Sequence, residues 1–148
     1  MEERKHLEAI RSLYEAHIQA TEKFFSAMTF GESLGRSFMG RGAYSGSGLF
    51  MPFLESLEAA VAEAVSGPVT AGEAAEILEY MLIRKHVTNE HPVLMELEAV
   101  EQKGDPLIPL LEKEDAARLH DAYLARYKKF RMLPSQRKTL KALAERRK

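Results

Sequence analysis

The sequence predicts an all-α fold: an antiparallel four-helix bundle in up-down-up-down order, with a proline-broken third helix and a short basic C-terminal helix. Two observations carry this prediction. Apolar residues recur three and four positions apart through most of the 148 residues, which is the spacing of one helix face. No segment shows the strict alternation of apolar and polar residues that indicates a half-buried strand.

The first predicted helix covers residues 2–29. Its apolar stripe consists of Leu7, Ile10, Tyr14, His17, Thr21, Phe24 and Met28. Residues 30–48 then hold six glycines and four serines, a composition that makes an ordered chain costly. The segment also carries apolar and aromatic residues that a plain linker would lack, namely Leu34, Phe38, Met39 and Tyr44. We therefore predict a Gly-rich loop over 30–48 that packs partly over the bundle as a lid.

Two further helices follow the loop. Residues 49–66 form the second, which Gly67 and Pro68 end. The third runs from about Ala71 to Glu90, with Thr70 as its cap and Glu73 completing a capping-box pattern. Pro92 must end or kink this helix, because proline lacks the N–H that the helix ladder needs. Residues 93–102 then continue as a helix.

The fourth predicted helix starts near Pro106 or Pro109 and runs to about Met132, with Pro134 ending it. Ser135 can then cap a final short helix over 136–147. We place the domain boundary here, with a helical bundle over 1–132 and a basic helical tail over 133–148.

Composition sets the classes of site that the chain can hold. The absence of cysteine excludes disulfides, thiolate metal ligands and cysteine nucleophiles. No apolar run is long enough to span a bilayer and the N-terminus has no apolar signal region, so we expect a cytoplasmic protein without a membrane partner.

Residues 126–148 carry a net charge of +9, which leaves −10 on residues 1–125. Such a tail can fold back, pair with a second subunit, or contact an acidic partner.

Histidines on apolar stripes define the candidate site. His86 and Glu90 lie one helical turn apart on one stripe, and His17 and His120 lie on stripes of their own helices. In an up-down-up-down bundle the three histidines come to similar heights, where imidazole and carboxylate side chains can hold non-haem iron or zinc. Glu58 is the carboxylate nearest to the stripe of the second helix. His6 lies near a terminus that we expect to fray, so we do not take it as a ligand.

Three segments resemble the hemerythrin-like family of HHE cation-binding domains. RKHVTNEHPVL resembles the family's His-x3-Glu segment, while LEAIRSLYEAHIQATEKFF and LLEKEDAARLHDAYLARYKKF resemble histidine-bearing helices of that family. The resemblance implies a four-helix bundle that holds non-haem iron and binds oxygen, or senses oxygen or iron. It also implies ligand roles for His17, His86, Glu90 and His120.

Two functions follow from these observations. The first is a hemerythrin-like metal-binding bundle that binds or senses a small molecule, O2 or NO, or iron itself. The second is a metal-free regulatory module, acting through the Gly-rich loop and the basic tail, which pairs as a homodimer or contacts an acidic protein surface. No hydrolase motif is present, and nucleic-acid binding is not expected because the basic residues lack interleaved aromatic and glycine residues.

Overall fold

A computed structural model of the chain describes residues 4–26, 50–67, 69–83, 97–126 and 133–148. Throughout these ranges the regular elements are helices and no strand occurs, so the prediction of an all-α protein is confirmed. The Gly-rich loop 30–48 lies outside the described residues. So does the predicted end of the third helix, with His86 and Glu90.

Six α-helices and one 3-10 helix make up the described part of the chain. Their bounds are α1 Lys5–Ser26, α2 Phe50–Ser66, α3 Ala71–Leu82, α4 Leu97–Gln102, the 3-10 helix Asp105–Leu110, α5 Lys113–Arg126 and α6 Pro134–Arg146. The predicted stripe of the first helix is confirmed at the four positions whose side chains are described. Leu7, Ile10, Tyr14 and His17 are all buried.

Helix α3 lies at the centre of the core. It packs against α1, α4, the 3-10 helix and α5, while α2 packs against α1 and the 3-10 helix. This position accounts for its composition, because Ala74, Ala75, Ile77, Leu78 and Met81 are buried on more than one face. A helix that is apolar around most of its circumference belongs in the middle of a bundle.

Contacts between side chains show the directions of the helices. His17 of α1 stacks on Phe53 near the start of α2, and His6 lies beside Gly67 just after its end, so α1 and α2 are antiparallel. Helix α5 follows the direction of α3, because Arg118 contacts Glu79 while the later Arg126 contacts Leu82. Helix α4 and the 3-10 helix connect α3 to α5. The predicted descending fourth helix is therefore not confirmed.

Prolines explain why the fourth helix starts later than predicted. Residues 105–110 form a 3-10 helix with Pro106 at its start and Pro109 inside it. Proline cannot donate a backbone hydrogen bond, and it disfavours α-helix at the residue before it. Leu111 then adopts an extended conformation with ψ of 150°, and α5 begins only at Lys113. The prediction that the fourth helix starts near Pro106 or Pro109 was therefore wrong, because these prolines belong to a separate short 3-10 helix that precedes α5.

The C-terminal helix α6 packs on the body of the protein. It begins at Pro134 rather than after Ser135, because proline at the first helical position loses no hydrogen bond that the helix would use. The side chain of Gln136 accepts a hydrogen bond from the backbone N–H of Leu133 at 3.0 Å. Gln136, Thr139 and Leu143 are buried against α4, the 3-10 helix and α5. The exposed face of α6 carries most of its basic residues.

No helix within the described ranges is both long and apolar enough to cross a bilayer.

Candidate functional site

His17 lies in the core, as the helical stripe predicted. Its side chain is 6% exposed, and its ring stacks on Phe53 with the ring centres 4.1 Å apart and an angle of 4° between the planes. Tyr14, one turn earlier, contacts the same Phe53 edge-on. His17 is thus one member of an aromatic layer between α1 and α2.

His120 lies at the surface, next to the end of α6. Its Nδ1 is 3.1 Å from Oδ1 of Asp121 and 3.2 Å from a guanidinium nitrogen of Arg147. The contacts with His120 and Arg147 lower the pKa of the Asp121 carboxyl group. The guanidinium of Arg147 and a metal cation are both positively charged. A guanidinium this close to the imidazole therefore opposes binding of a metal cation there.

Glu58 is exposed on α2 and forms an ion pair with Lys103 at 3.2 Å. His86 and Glu90 lie outside the described residues, so three of the five predicted ligands can be located. Across 4–26, 50–67, 69–83, 97–126 and 133–148, no group of three or more histidine, aspartate or glutamate side chains is placed to hold a metal ion. The described residues alone therefore do not supply a metal-ligand set.

A buried polar cluster occupies the region where α4, α5 and α6 meet. At its centre is Glu101, whose side chain is 1% exposed. Oε1 of Glu101 accepts hydrogen bonds from the Tyr123 hydroxyl at 2.8 Å and from the Gln136 amide at 3.3 Å. Its Oε2 lies 4.0 Å from the guanidinium of Arg126. We call these four residues the Glu101 cluster.

Arg126 connects this cluster to the end of α3. Its guanidinium donates a hydrogen bond to the carbonyl oxygen of Leu82, the last residue of α3, and the same group faces Glu101 on α4. One side chain therefore contacts the helix before residues 84–96 and the helix after them. Buried ion pairs are costly unless they are fully hydrogen-bonded, so such a cluster indicates either a specific structural role or a functional one.

The charges of Glu101 and Arg126 affect the pKa of Tyr14 on α1. Burial raises the pKa of Tyr14 well above its usual value, the neighbouring Tyr80 and Glu101 raise it further, and Arg126 lowers it. Tyr14 packs edge-on against Tyr80 with ring centres 5.0 Å apart. The phenol therefore remains protonated at neutral pH.

A second polar contact joins α6 to the chain just after α4. The hydroxyl of Thr139 donates to Oδ1 of Asp105 at 2.6 Å. Burial raises the pKa of Asp105, while the hydrogen bond from Thr139 and the charge of Lys138 lower it, with burial the larger effect. The folded protein thus binds this proton more tightly than the unfolded chain.

Replacing Asp105 with asparagine tests whether the pKa of Asp105 is raised in the folded protein. Because the folded pKa is above the unfolded one, the ionised group costs stability, and this cost grows as the pH rises from 3.8 through the folded pKa. Asp105→Asn should remove that slope and leave the variant at least as stable as the wild type at neutral pH, since the amide oxygen can still accept from Thr139. Urea unfolding over a pH series measures the difference. A slope identical to that of the wild type would contradict the assignment.

A buried carboxylate also fixes the start of α1. Thr70 accepts a hydrogen bond from the Glu73 N–H at 3.1 Å, which confirms Thr70 as the cap of α3. The Glu73 carboxylate does not complete a local capping box. Its Oε2 instead accepts from the backbone N–H groups of His6 and Leu7, at 2.9 and 3.0 Å. His6 is buried rather than frayed, so that expectation was wrong.

Loss of this carboxylate should destabilise the protein. Glu73→Ala leaves two backbone donors of α1 without their acceptor, and we expect a loss of about 1–2 kcal/mol in the free energy of unfolding, as for a missing helix cap. Glu76→Ala is the matched control one turn away, because its ion pair with Arg4 is half-exposed and is worth less than about 1 kcal/mol. Equal losses in the two variants, measured by urea unfolding, would show that Glu73 is no cap.

Comparison with known proteins adds no assignment. No family model, no curated protein and no solved structure matches this chain.

Proposed function

We propose that this protein is a hemerythrin-like metal-binding module that binds or senses a small molecule, O2 or NO, or iron itself. The observation that carries the proposal is the position of Arg126, which contacts both the last residue of α3 and the buried Glu101 of α4. The chain between those helices carries the predicted ligands His86 and Glu90.

The surroundings of the Glu101 cluster support this proposal. His17 is buried, and it lies one helical turn from Tyr14, whose pKa responds to Glu101 and Arg126. In the sequence His86 follows Leu82 by four residues. Imidazole and carboxylate groups in a bundle interior suit non-haem iron or zinc. His17, His86 and Glu90 are the ligands that we propose, and the ion would supply the binding of O2 or NO. The role of Arg126 is to position the two helix ends.

Elemental analysis of the purified full-length protein tests the proposal. We expect bound iron or zinc that survives dialysis and is lost in His86→Ala. His120→Ala is the matched control, because Arg147 and Asp121 already engage that ring at the surface, and it should retain the metal. Folded protein that contains no metal, and that takes up no added ferrous iron under anaerobic conditions, would exclude this function.

A second function is favoured by a different observation. Two of the five predicted ligands, Glu58 and His120, are paired with Lys103 and Arg147 and do not face a shared site. If the metal analysis is negative, we propose a metal-free protein-interaction module whose contact surface includes the basic face of α6. The same measurement therefore separates the two functions.

A further inference from the structure

The docking of α6 leaves a groove along its edge. Helix α2, the end of α4 and the chain after it border an open depression of about 640 Å³, and Lys138 of α6 stands at its edge. Its lining combines the apolar side chains of Val61, Val65 and Pro106 with the charged side chains of Lys103 and Lys138. Val65 is 37% exposed and contributes apolar surface to this depression.

A second depression adjoins the first, since Asp105 lines both. This one measures about 410 Å³ and runs along the second half of α6. Pro109 and Ala142 provide apolar surface here, and Lys113 and Lys148 stand at its border. We call the two depressions together the α6 groove.

Most of the acidic side chains around the α6 groove have partners, whereas several of its lysines form no ion pair. Glu58 is neutralised by Lys103, and Asp105 accepts the hydrogen bond from Thr139. Lys113, Lys138 and Lys148 are exposed and form no ion pair within the described part of the chain, although the charge of Lys138 acts on the Asp105 carboxyl group. Glu145 is an exposed carboxylate that also lines the groove, so three lysines face one acidic side chain that has no ion pair in the described residues. The groove therefore has an apolar floor and an excess of unpaired positive charge at its edges.

We propose that the α6 groove is a docking site for an acidic amphipathic helix of a partner protein. Such a helix would place apolar side chains against Val65 and Pro106 and its carboxylates toward Lys113, Lys138 and Lys148, which is the helix-in-groove mode of recognition. Charge complementarity would steer the encounter and set its orientation. This inference specifies the partner class for the second proposed function, on which it rests, and its three lysines are not among the predicted metal ligands.

A fluorescein-labelled synthetic helical peptide, with glutamates on one face and leucines on the other, tests this proposal by fluorescence anisotropy. We expect saturable binding to the full-length protein that weakens as salt is added. Lys138→Glu and Lys148→Glu should each weaken binding by about fivefold or more, because each reverses a charge at the groove. Lys141→Glu is the matched control, since Lys141 is exposed on the same helix but does not line the groove.

A second pair of variants examines the apolar floor. Val65→Asp should weaken peptide binding, whereas Leu124→Asp should not, because Leu124 is also exposed, at 44%, but lies on α5 outside the groove. Circular dichroism and thermal unfolding serve to check that each variant is folded.

Three results would overturn the proposal. The first is no binding of the peptide at low salt. The second is tighter binding of a single-stranded oligonucleotide, or of phosphatidylserine vesicles, than of the peptide. The third is an equal loss in Lys141→Glu and Lys138→Glu, which would show that the basic tail attracts anions without using the groove. That last result would remove this inference and leave the second proposed function in place, because that function is tested separately by the metal analysis.

Discussion

Glu101→Ala should be among the most destabilising single substitutions in this protein, with a loss of about 3–5 kcal/mol in the free energy of unfolding. The carboxylate is buried and accepts from Tyr123 and Gln136 while facing Arg126. Its removal leaves a phenol and an amide without their shared acceptor, and it takes away the negative charge that faces the guanidinium of Arg126. Equilibrium unfolding in urea, followed by circular dichroism, measures the loss.

Two control variants separate charge from hydrogen bonding in the Glu101 cluster. Glu101→Gln keeps an oxygen that can accept from Tyr123 but loses the attraction to Arg126, so its loss should be intermediate. Glu58→Ala removes an exposed carboxylate whose ion pair with Lys103 is worth less than about 1 kcal/mol. A Glu101→Ala variant as stable as Glu58→Ala would show that the cluster contributes nothing to folding.

The helices were predictable because each depends on nearby residues. The spacing of apolar residues gave the buried face of α1, and Gly67 and Thr70 marked the end of α2 and the start of α3 within a residue. The apolar residues of α5 show the limit of such spacing. Ala116, Leu119 and Tyr123 are buried, but Leu124 is 44% exposed.

The polar interior could not be predicted in the same way. Glu101 lies beside Val100 on the buried side of α4, and Gln136 and Thr139 occupy the inner face of α6, so burial of these polar residues depends on partners 34 and 35 residues away. Sequence spacing within one helix carries no information about such partners. Helix α6 docks through the hydrogen bonds of Gln136 and Thr139 as well as through the buried side chain of Leu143.

The candidate metal site shows the same limit. A histidine on an apolar stripe indicates a buried ring, which is correct for His17. The stripe of α5 instead placed His120 beside the end of α6, where Asp121 and Arg147 engage it. The difference arises from the direction of α5 and the docking of α6, and both are set by long-range packing. His86 and Glu90 lie outside the described residues, and their ligand roles stay predictions.

Gly104→Ala should cost stability although the backbone there suits any residue. With φ of −83° and ψ of −11°, Gly104 needs none of the conformational freedom of glycine. A Cβ at this position would lie 2.8 Å from Cδ2 of Leu78 and 3.4 Å from Met81, and both side chains are fully buried in α3. Because the surrounding core leaves Leu78 little room to move, we expect a loss near the upper end of the roughly 1–3 kcal/mol typical of overpacking.

Gly72→Ala is the matched control, because a Cβ at Gly72 meets no atom within 4 Å. That variant should gain about 0.5 kcal/mol, since alanine restricts the unfolded chain and favours the helix. The two glycine substitutions should therefore move the free energy of unfolding in opposite directions. A double-mutant cycle with Leu78→Ala then identifies the clash: shortening Leu78 removes the atom that the new methyl group meets, so Gly104→Ala should cost at least about 1 kcal/mol less in that background. If Gly104→Ala costs the same free energy of unfolding in both backgrounds, its effect does not come from a clash with Leu78.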